Sequence, residues 1–254
     1  MYPNLPFTVF GLEVSTFGVM MALGFLAGGR LFARACEASG YDRDYGWTLL
    51  SWALIGGLLG AKVWFVGEMV AREGTGQLVA HLFSRGGLTW YGGLVGGAIG
   101  VMLGSRVHRL PISVTMDCAA APVALGQALG RIGCFLVGDD WGKATDLPWG
   151  VAFPNGLQPV DFPVHPTMLY EAAWLFAITW WLHRRAGRSP NRMAEYLVLA
   201  GGGRMLNEML RTNPTLIGPL TNAQVTAVVC IAVGGALWLY LRVRARDSAP
   251  QAAA

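Results

Sequence analysis

The hydrophobic pattern of this chain is a succession of long apolar runs parted by short polar ones. Seven runs predict helices: Val14 to Phe32, Trp47 to Val66, Leu88 to Leu103, Ile112 to Val137, Thr167 to Leu182, Ala194 to Leu210 and Ala223 to Leu241. At about 1.5 Å per residue, a helix of about 20 residues crosses a hydrocarbon layer some 30 Å thick. The pattern therefore predicts an all-α integral membrane protein with seven transmembrane helices. It forms one polytopic domain over residues 1–247, followed by a short, frayed, Ala-rich tail at 248–254. Met1 to Glu13 has no basic segment ahead of its apolar run, so a retained start is expected and not a cleaved signal peptide.

Two polar intervals are longer than the rest. Gly67 to Gly87 carries Met69, Val70, Leu78, Val79, Leu82 and Phe83 at helical spacing, which suits an interfacial arm acting either as an amphipathic linker or as a gate. Gly138 to Pro166 is rich in Pro, Gly and Asp and reads as an irregular loop.

Composition agrees with the pattern. The chain is 54% hydrophobic and 13% charged, with a mean hydropathy of +0.43, whereas a soluble domain is about a quarter charged. The net charge of +4 is a matter of position. Arg30, Arg34, Arg43, Arg106, Arg109, Arg184, Arg185, Arg188, Arg192, Arg242, Arg244 and Arg246 fall on one alternating side of the predicted crossings, 12 of the 19 Lys and Arg residues. Cytoplasmic loops collect such cations, so the amino terminus is expected outside and the carboxyl terminus in the cytoplasm. The charge is thus a topology signal and not one for nucleic acid. The four cysteines include no CxxC pair and the four histidines no ligand spacing, so neither a disulfide framework nor a metal site is expected.

Seven cations remain within helices or on the outward side: Lys62, Arg72, Arg85, Arg131, Lys143, Arg204 and Arg211. Arg131 lies deep in apolar sequence, where an arginine costs roughly 2.5 to 3.5 kcal/mol on insertion scales, and such a cost marks a site. Its carboxylate partner is expected to be Asp117 or Asp139. Arg204, Glu208 and Arg211, at i, i+4 and i+7, predict a charged stripe on one helical face, in which an Arg204–Glu208 ion pair either pins helices or holds a guanidinium ready for an anionic head group. The guanidinium fork suits bidentate contact with phosphate, so Arg131 and Arg204 together read as a phosphate clamp. Glu171, in an apolar helix, must find a donor, and a clamp arginine is a candidate. The Lys62 ammonium either snorkels outward or faces the cavity. His165 either caps the next helix or orders the loop before it.

Four ordered motifs carry a resemblance to a known family. Gly130 to Gly142, GRIGCFLVGDDWG, is similar to the signature GRxGNFxNxExxG of the prolipoprotein diacylglyceryl transferases. His165 to Ala172, HPTMLYEA, resembles their HPxxLYEA segment, Gly203 to Arg211 their RFxxExxR segment, and Gly86 to Leu94 their GGxxxHGGL turn. The resemblance implies transfer of the diacylglyceryl group of phosphatidylglycerol to the thiol of the lipobox cysteine in prolipoprotein signal peptides, forming a thioether and releasing glycerol phosphate. It implies no cofactor, and a site facing the periplasm in the bacterial inner membrane. It gives catalytic roles to Arg131, Asp139, Arg204, Glu208 and Tyr91, and phosphatidylglycerol head-group contacts to Arg131, Arg204, Lys62, Gly142, His165 and Arg211.

The chain departs from the family pattern at Tyr91, where histidine is usual, at Cys134 for asparagine, at Asp139 for glutamate, and at Phe17 for tyrosine. The base that takes the thiol proton is left open among Asp139, Asp140 and Tyr91. Cys134 is not expected to be a nucleophile, because an enzyme thioether has no good leaving group and would be a dead end. Two rival readings stand beside the transferase: a non-catalytic homologue that binds anionic lipid or lipoprotein precursors, and a transporter, for which no inverted repeat is present.

Overall fold

The apolar runs fold as long helices in a computed structural model that describes residues 4–9, 12–84, 89–188 and 190–248. Among these residues the helices are α1 (Thr16–Ala38), α2 (Asp44–Glu73), a short α3 (Leu78–Phe83), α4 (Trp90–Val107), α5 (Ile112–Val137), α6 (Thr167–Arg184), α7 (Arg192–Glu208) and α8 (Asn222–Ser248). The predicted helix start at Leu88, the first residues of the glycine turn and the frayed tail beyond Ser248 lie outside the described residues. By length and composition α1, α2, α5 and α8 up to Arg244 can each cross a membrane. Their outward faces suit lipid: Ile55, Leu58, Leu59 and Val63 on α2 are each more than 60% exposed.

Among the described residues three antiparallel hairpins interrupt the helical pattern: β1 (Asn4–Val9) with β2 (Leu12–Ser15), β3 (Val151–Phe153) with β4 (Val160–Val164), and β5 (Thr215–Ile217) with β6 (Leu220–Thr221). The second corrects the expectation of an irregular loop between Gly138 and Pro166. Phe153, Val160, Val164 and Met168 bury one another there, with Cys134, Phe135 and Trp141 packed against them. This small apolar core fixes the loop that follows α5.

The arm is also shorter than expected. Nothing between Val66 and Glu73 stops a helix, so α2 runs on to Gly74, which ends it at φ +78°. Met69 and Val70 therefore belong to α2. Among the described residues the arm keeps a 3-10 turn, Thr75–Gln77, and the short α3, in which Val79 is 67% and Phe83 84% exposed.

Helix α5 is the centre of the bundle, packing on α1 on one side and on α6 and α7 on the other. Its small residues Ala120, Ala121, Ala124 and Ala128 admit Leu175, Ile178 and Leu182 of α6 and Tyr196 of α7. Asp117 is not the partner of Arg131: its Oδ1 accepts the Met193 N–H at 3.0 Å, a carboxylate at the positive end of α7.

The α2–α4 seam is made by glycine. A Cβ on Gly96 would lie 2.2 Å from the Gly56 carbonyl oxygen, and one on Gly60 2.4 Å from that of Gly92. Close backbone approach supplies the packing that the hydrophobic effect cannot supply within lipid. Gly96→Ala is expected to destabilise the protein by about 1–3 kcal/mol. Gly202→Ala, whose Cβ enters open space, is expected to leave the melting temperature in detergent unchanged. Equal melting of the two variants would show that the seam tolerates separation.

Candidate active site

The site begins where α5 stops. Gly138 takes a left-handed conformation at φ +72° and its N–H bonds to the Cys134 carbonyl at 3.0 Å, a helix stop that glycine forms without steric cost. Asp140 is also left-handed, at φ +65°. For a residue with a Cβ that strain is about 1–3 kcal/mol. Two bonds to its carbonyl oxygen hold it there, from Thr167 Oγ1 and from Arg211 Nη1, each at 2.9 Å.

The result is a closed ring of alternating charge drawn from α5, the following loop, α6, α7 and the turn after α7. Arg131 Nη1 meets Asp140 Oδ2 at 2.6 Å, and Arg131 Nε meets Glu171 Oε2 at 3.1 Å. Glu171 Oε2 also receives Arg204 Nη1 at 2.7 Å and Asn207 Nδ2 at 3.1 Å. Arg204 Nη2 reaches Glu208 Oε2 at 3.3 Å, Arg211 Nε lies 3.6 Å from the same oxygen, and Arg211 Nη2 returns to Asp140 Oδ1. Three arginines and three carboxylates thus neutralise one another, which is how so many charges lie together beside apolar helices.

Exposure divides the ring. The Arg131 and Arg204 side chains are 24% and 22% exposed, whereas those of Arg211 and Glu208 are 5% and 0%. Glu208 is a hub: its Oε1 accepts Asn213 Nδ2 at 2.7 Å and Thr221 Oγ1 at 2.8 Å. Of the three arginines in the ring, Arg131 and Arg204 are the part-exposed ones that an arriving anion could meet. The charged stripe expected on one helix is in fact split, because α7 ends at Glu208 and Arg211 sits in the turn beyond it.

The two loop carboxyls are driven apart. Burial alone would raise Asp140, but the hydrogen bond and charge of Arg211, with the charge of Arg131, outweigh it and hold this carboxyl below its usual range. Burial raises Asp139 as well, and the neighbouring Asp140 charge adds to it. The hydrogen bond with Cys134 and the two arginines do not cancel that rise, and Asp139 stays above its usual range. Its Oδ1 is buried without a hydrogen-bond partner among the described residues.

The other expected residues surround this ring. Gly142 lies where no side chain fits, since a Cβ would come within 2.6 Å of the Leu210 carbonyl oxygen, and its N–H bonds to the His165 carbonyl at 2.9 Å. His165 orders the loop and makes no side-chain cap on α6: its N–H bonds to the Lys143 carbonyl and its Nδ1 lies 3.3 Å from the Tyr170 hydroxyl. The Tyr91 hydroxyl accepts from Asn222 Nδ2, next in sequence to the Thr221 that binds Glu208. Lys62 bonds to the Ser84 carbonyl and hydroxyl at 2.8 and 2.9 Å, pinning the end of the arm to α2. Cys134 Sγ is 3.9 Å from Arg131 Nη1, on the wall of the ring.

Asp140, not Asp117 or Asp139, is the loop carboxylate paired with Arg131, and Glu171 is the second partner. Glu171 was detectable as an acid stranded in apolar sequence. Asn207, Asn213 and Thr221 carry no such signal, because uncharged polar residues at helix ends and turns are ordinary.

The family model of the prolipoprotein diacylglyceryl transferases matches residues 5–240. The chain belongs to this family. The phosphatidylglycerol–prolipoprotein diacylglyceryl transferase of Clostridium tetani is 32% identical over 234 residues, covering 90% of this chain and 93% of the relative. That of Synechocystis is 30% identical over 250 residues, covering 92% and 88%, and that of Clostridioides difficile 29% over 248, covering 96% and 98%. The members of the ring, Arg131, Asp140, Glu171, Arg204, Glu208 and Arg211, all come from the three segments that resemble diacylglyceryl transferase motifs.

Proposed function

We propose that this protein transfers the diacylglyceryl group of phosphatidylglycerol to the thiol of a prolipoprotein lipobox cysteine. The observation that carries the reading is the ring, which holds two part-exposed arginines in fixed positions 2.7 and 3.1 Å from one shared carboxylate oxygen. The substrate thiol loses its proton, the sulfur attacks the glyceryl carbon that bears the phosphate, and the carbon–oxygen bond breaks with its electron pair staying on the phosphate. The phosphodiester enters with one negative charge and leaves as glycerol phosphate with a second developing, so stabilisation is needed most in the transition state. Arg131 and Arg204 supply it. Arg211 and Glu208 act through them as positioning residues, and Asp139, raised and with one oxygen that accepts no hydrogen bond from the described residues, accepts the thiol proton.

A lipobox peptide incubated with purified protein is expected to gain one diacylglyceryl mass from phosphatidylglycerol and none from phosphatidylcholine. A peptide that binds but never gains mass would favour the non-catalytic homologue.

The same reading places the chain in the bacterial inner membrane as one domain over residues 1–247 with seven crossings, α1, α2 and α4 to α8. The amino terminus and the ring then face the periplasm, and the arginines after α6 the cytoplasm. In a cysteine-free background an impermeant thiol reagent is expected to label Lys143→Cys from outside and Ala186→Cys only after permeabilisation. The reverse pattern would invert the topology.

A further inference from the structure

At the ends of α6, α7 and α8 remote from the ring, the helices enclose a groove of about 450 Å³ lined by Trp181, Ala194, Glu195, Val198, Leu199, Gly235 and Trp238. Glu195 and Arg204 are nine residues apart on α7, about 14 Å at the helical rise, so this groove is separate from the site. Ala194, Glu195, Val198 and Leu199 form its floor, with Trp181 of α6 and Gly235 and Trp238 of α8 as its walls. Its one carboxylate is already engaged, because Glu195 accepts Trp181 Nε1 at 3.1 Å and pairs with Arg185 at 3.1 Å.

The rim repeats one device. Trp181 and Arg185, and Trp238 and Arg242, are each four residues apart, with the guanidinium 5.2 and 3.7 Å from the indole centre. Each pair carries an apolar wall up to a cation whose fork suits phosphate. Two arginines, Arg185 and Arg242, stand beside a single carboxylate here. An apolar slot of ligand size ending in an excess of guanidinium at helix ends complements an amphiphile with an anionic head.

We propose that this groove binds one anionic phospholipid, an acyl chain lying between Trp181 and Trp238 and the phosphate meeting Arg185 and Arg242. Its placement in the leaflet opposite the ring rests on the seven-crossing reading; the groove and its rim do not. Such a lipid ties α6 and α8 together across α7, the helix that carries Arg204.

The test counts lipids retained by native mass spectrometry after reconstitution in vesicles of equal phosphatidylglycerol and phosphatidylcholine. Gly235→Leu fills the groove, since a side chain at Gly235 enters open space, and Arg242→Gln removes an exposed rim charge. The wild type is expected to retain one more phosphatidylglycerol than either variant, while both variants keep thioether formation. Equal counts in all three proteins, or phosphatidylcholine retained as often as phosphatidylglycerol, would overturn the proposal. A wild type that retains the extra lipid but forms no thioether would sink the catalytic reading and leave this one standing.

Discussion

Arg204→Ala is expected to lower turnover by at least about 10²–10³-fold, the loss seen when a single preorganised donor to a developing anion is removed. Arg131→Ala is expected to match it. Lysine at either position should recover little, because each guanidinium spans two carboxylates with separate nitrogens: Arg131 through Nη1 and Nε, and Arg204 through Nη1 and Nη2. One ammonium cannot hold both partners and still present a fork to phosphate. Each alanine variant also leaves a part-buried carboxylate short of a partner, which in buried pairs costs about 3–5 kcal/mol. Activity should therefore be read alongside thermal melting and retained phosphatidylglycerol. A folded Arg204→Lys enzyme with near-wild-type turnover would reduce the clamp to a diffuse positive field.

Asp139→Asn is expected to cost about 10²–10⁴-fold in turnover, the range for loss of a positioned general base, while Cys134→Ala and Cys134→Asn keep most of theirs. Asp139 works as a base only when ionised. Because burial and the Asp140 charge raise its carboxyl, the acidic limb of the rate profile should lie above the ordinary carboxylate value and vanish in Asp139→Asn. Asp140 behaves in the opposite sense. Its lowered carboxyl contributes stability that is fully present above its unfolded value, near 3.9, and is lost only as pH falls through the lower folded value. The pairs of Asp140 with Arg131 and Arg211 should therefore survive acidification that already silences Asp139. An unchanged acidic limb in Asp139→Asn, or a dead but folded Cys134→Ala, would reassign the base.

The bundle was legible in the sequence because hydrophobic runs of crossing length leave a helix little alternative in lipid. The three hairpins were not, since runs as short as Leu220–Thr221 carry no period. Arg131, Arg204, Glu171 and Glu208 stood out as charges that apolar sequence does not explain. The pairing of Glu171 with a clamp arginine was legible too, but the loop carboxylate that meets Arg131 was not, because Asp117, Asp139 and Asp140 are equivalent by composition. What separates them is backbone geometry: the left-handed turn at Gly138 and Asp140 aims Asp140 at Arg131 and Arg211. Asp117 lies about four helical turns before Arg131 on α5 and meets α7. Lys62 and Tyr91 read as site residues by motif, and their contacts with Ser84 and Asn222 also tie together the arm, α2, α4 and the head of α8.

The most direct test of the central claim follows both products of one reaction with purified protein, phosphatidylglycerol and a lipobox peptide. Glycerol phosphate and thioether-linked peptide should appear in equal amounts, stop together when the peptide cysteine is replaced by serine, and be lost together in Arg204→Ala. Glycerol phosphate released without a matching thioether, or thioether formation that persists unchanged in folded Arg204→Ala, would contradict it.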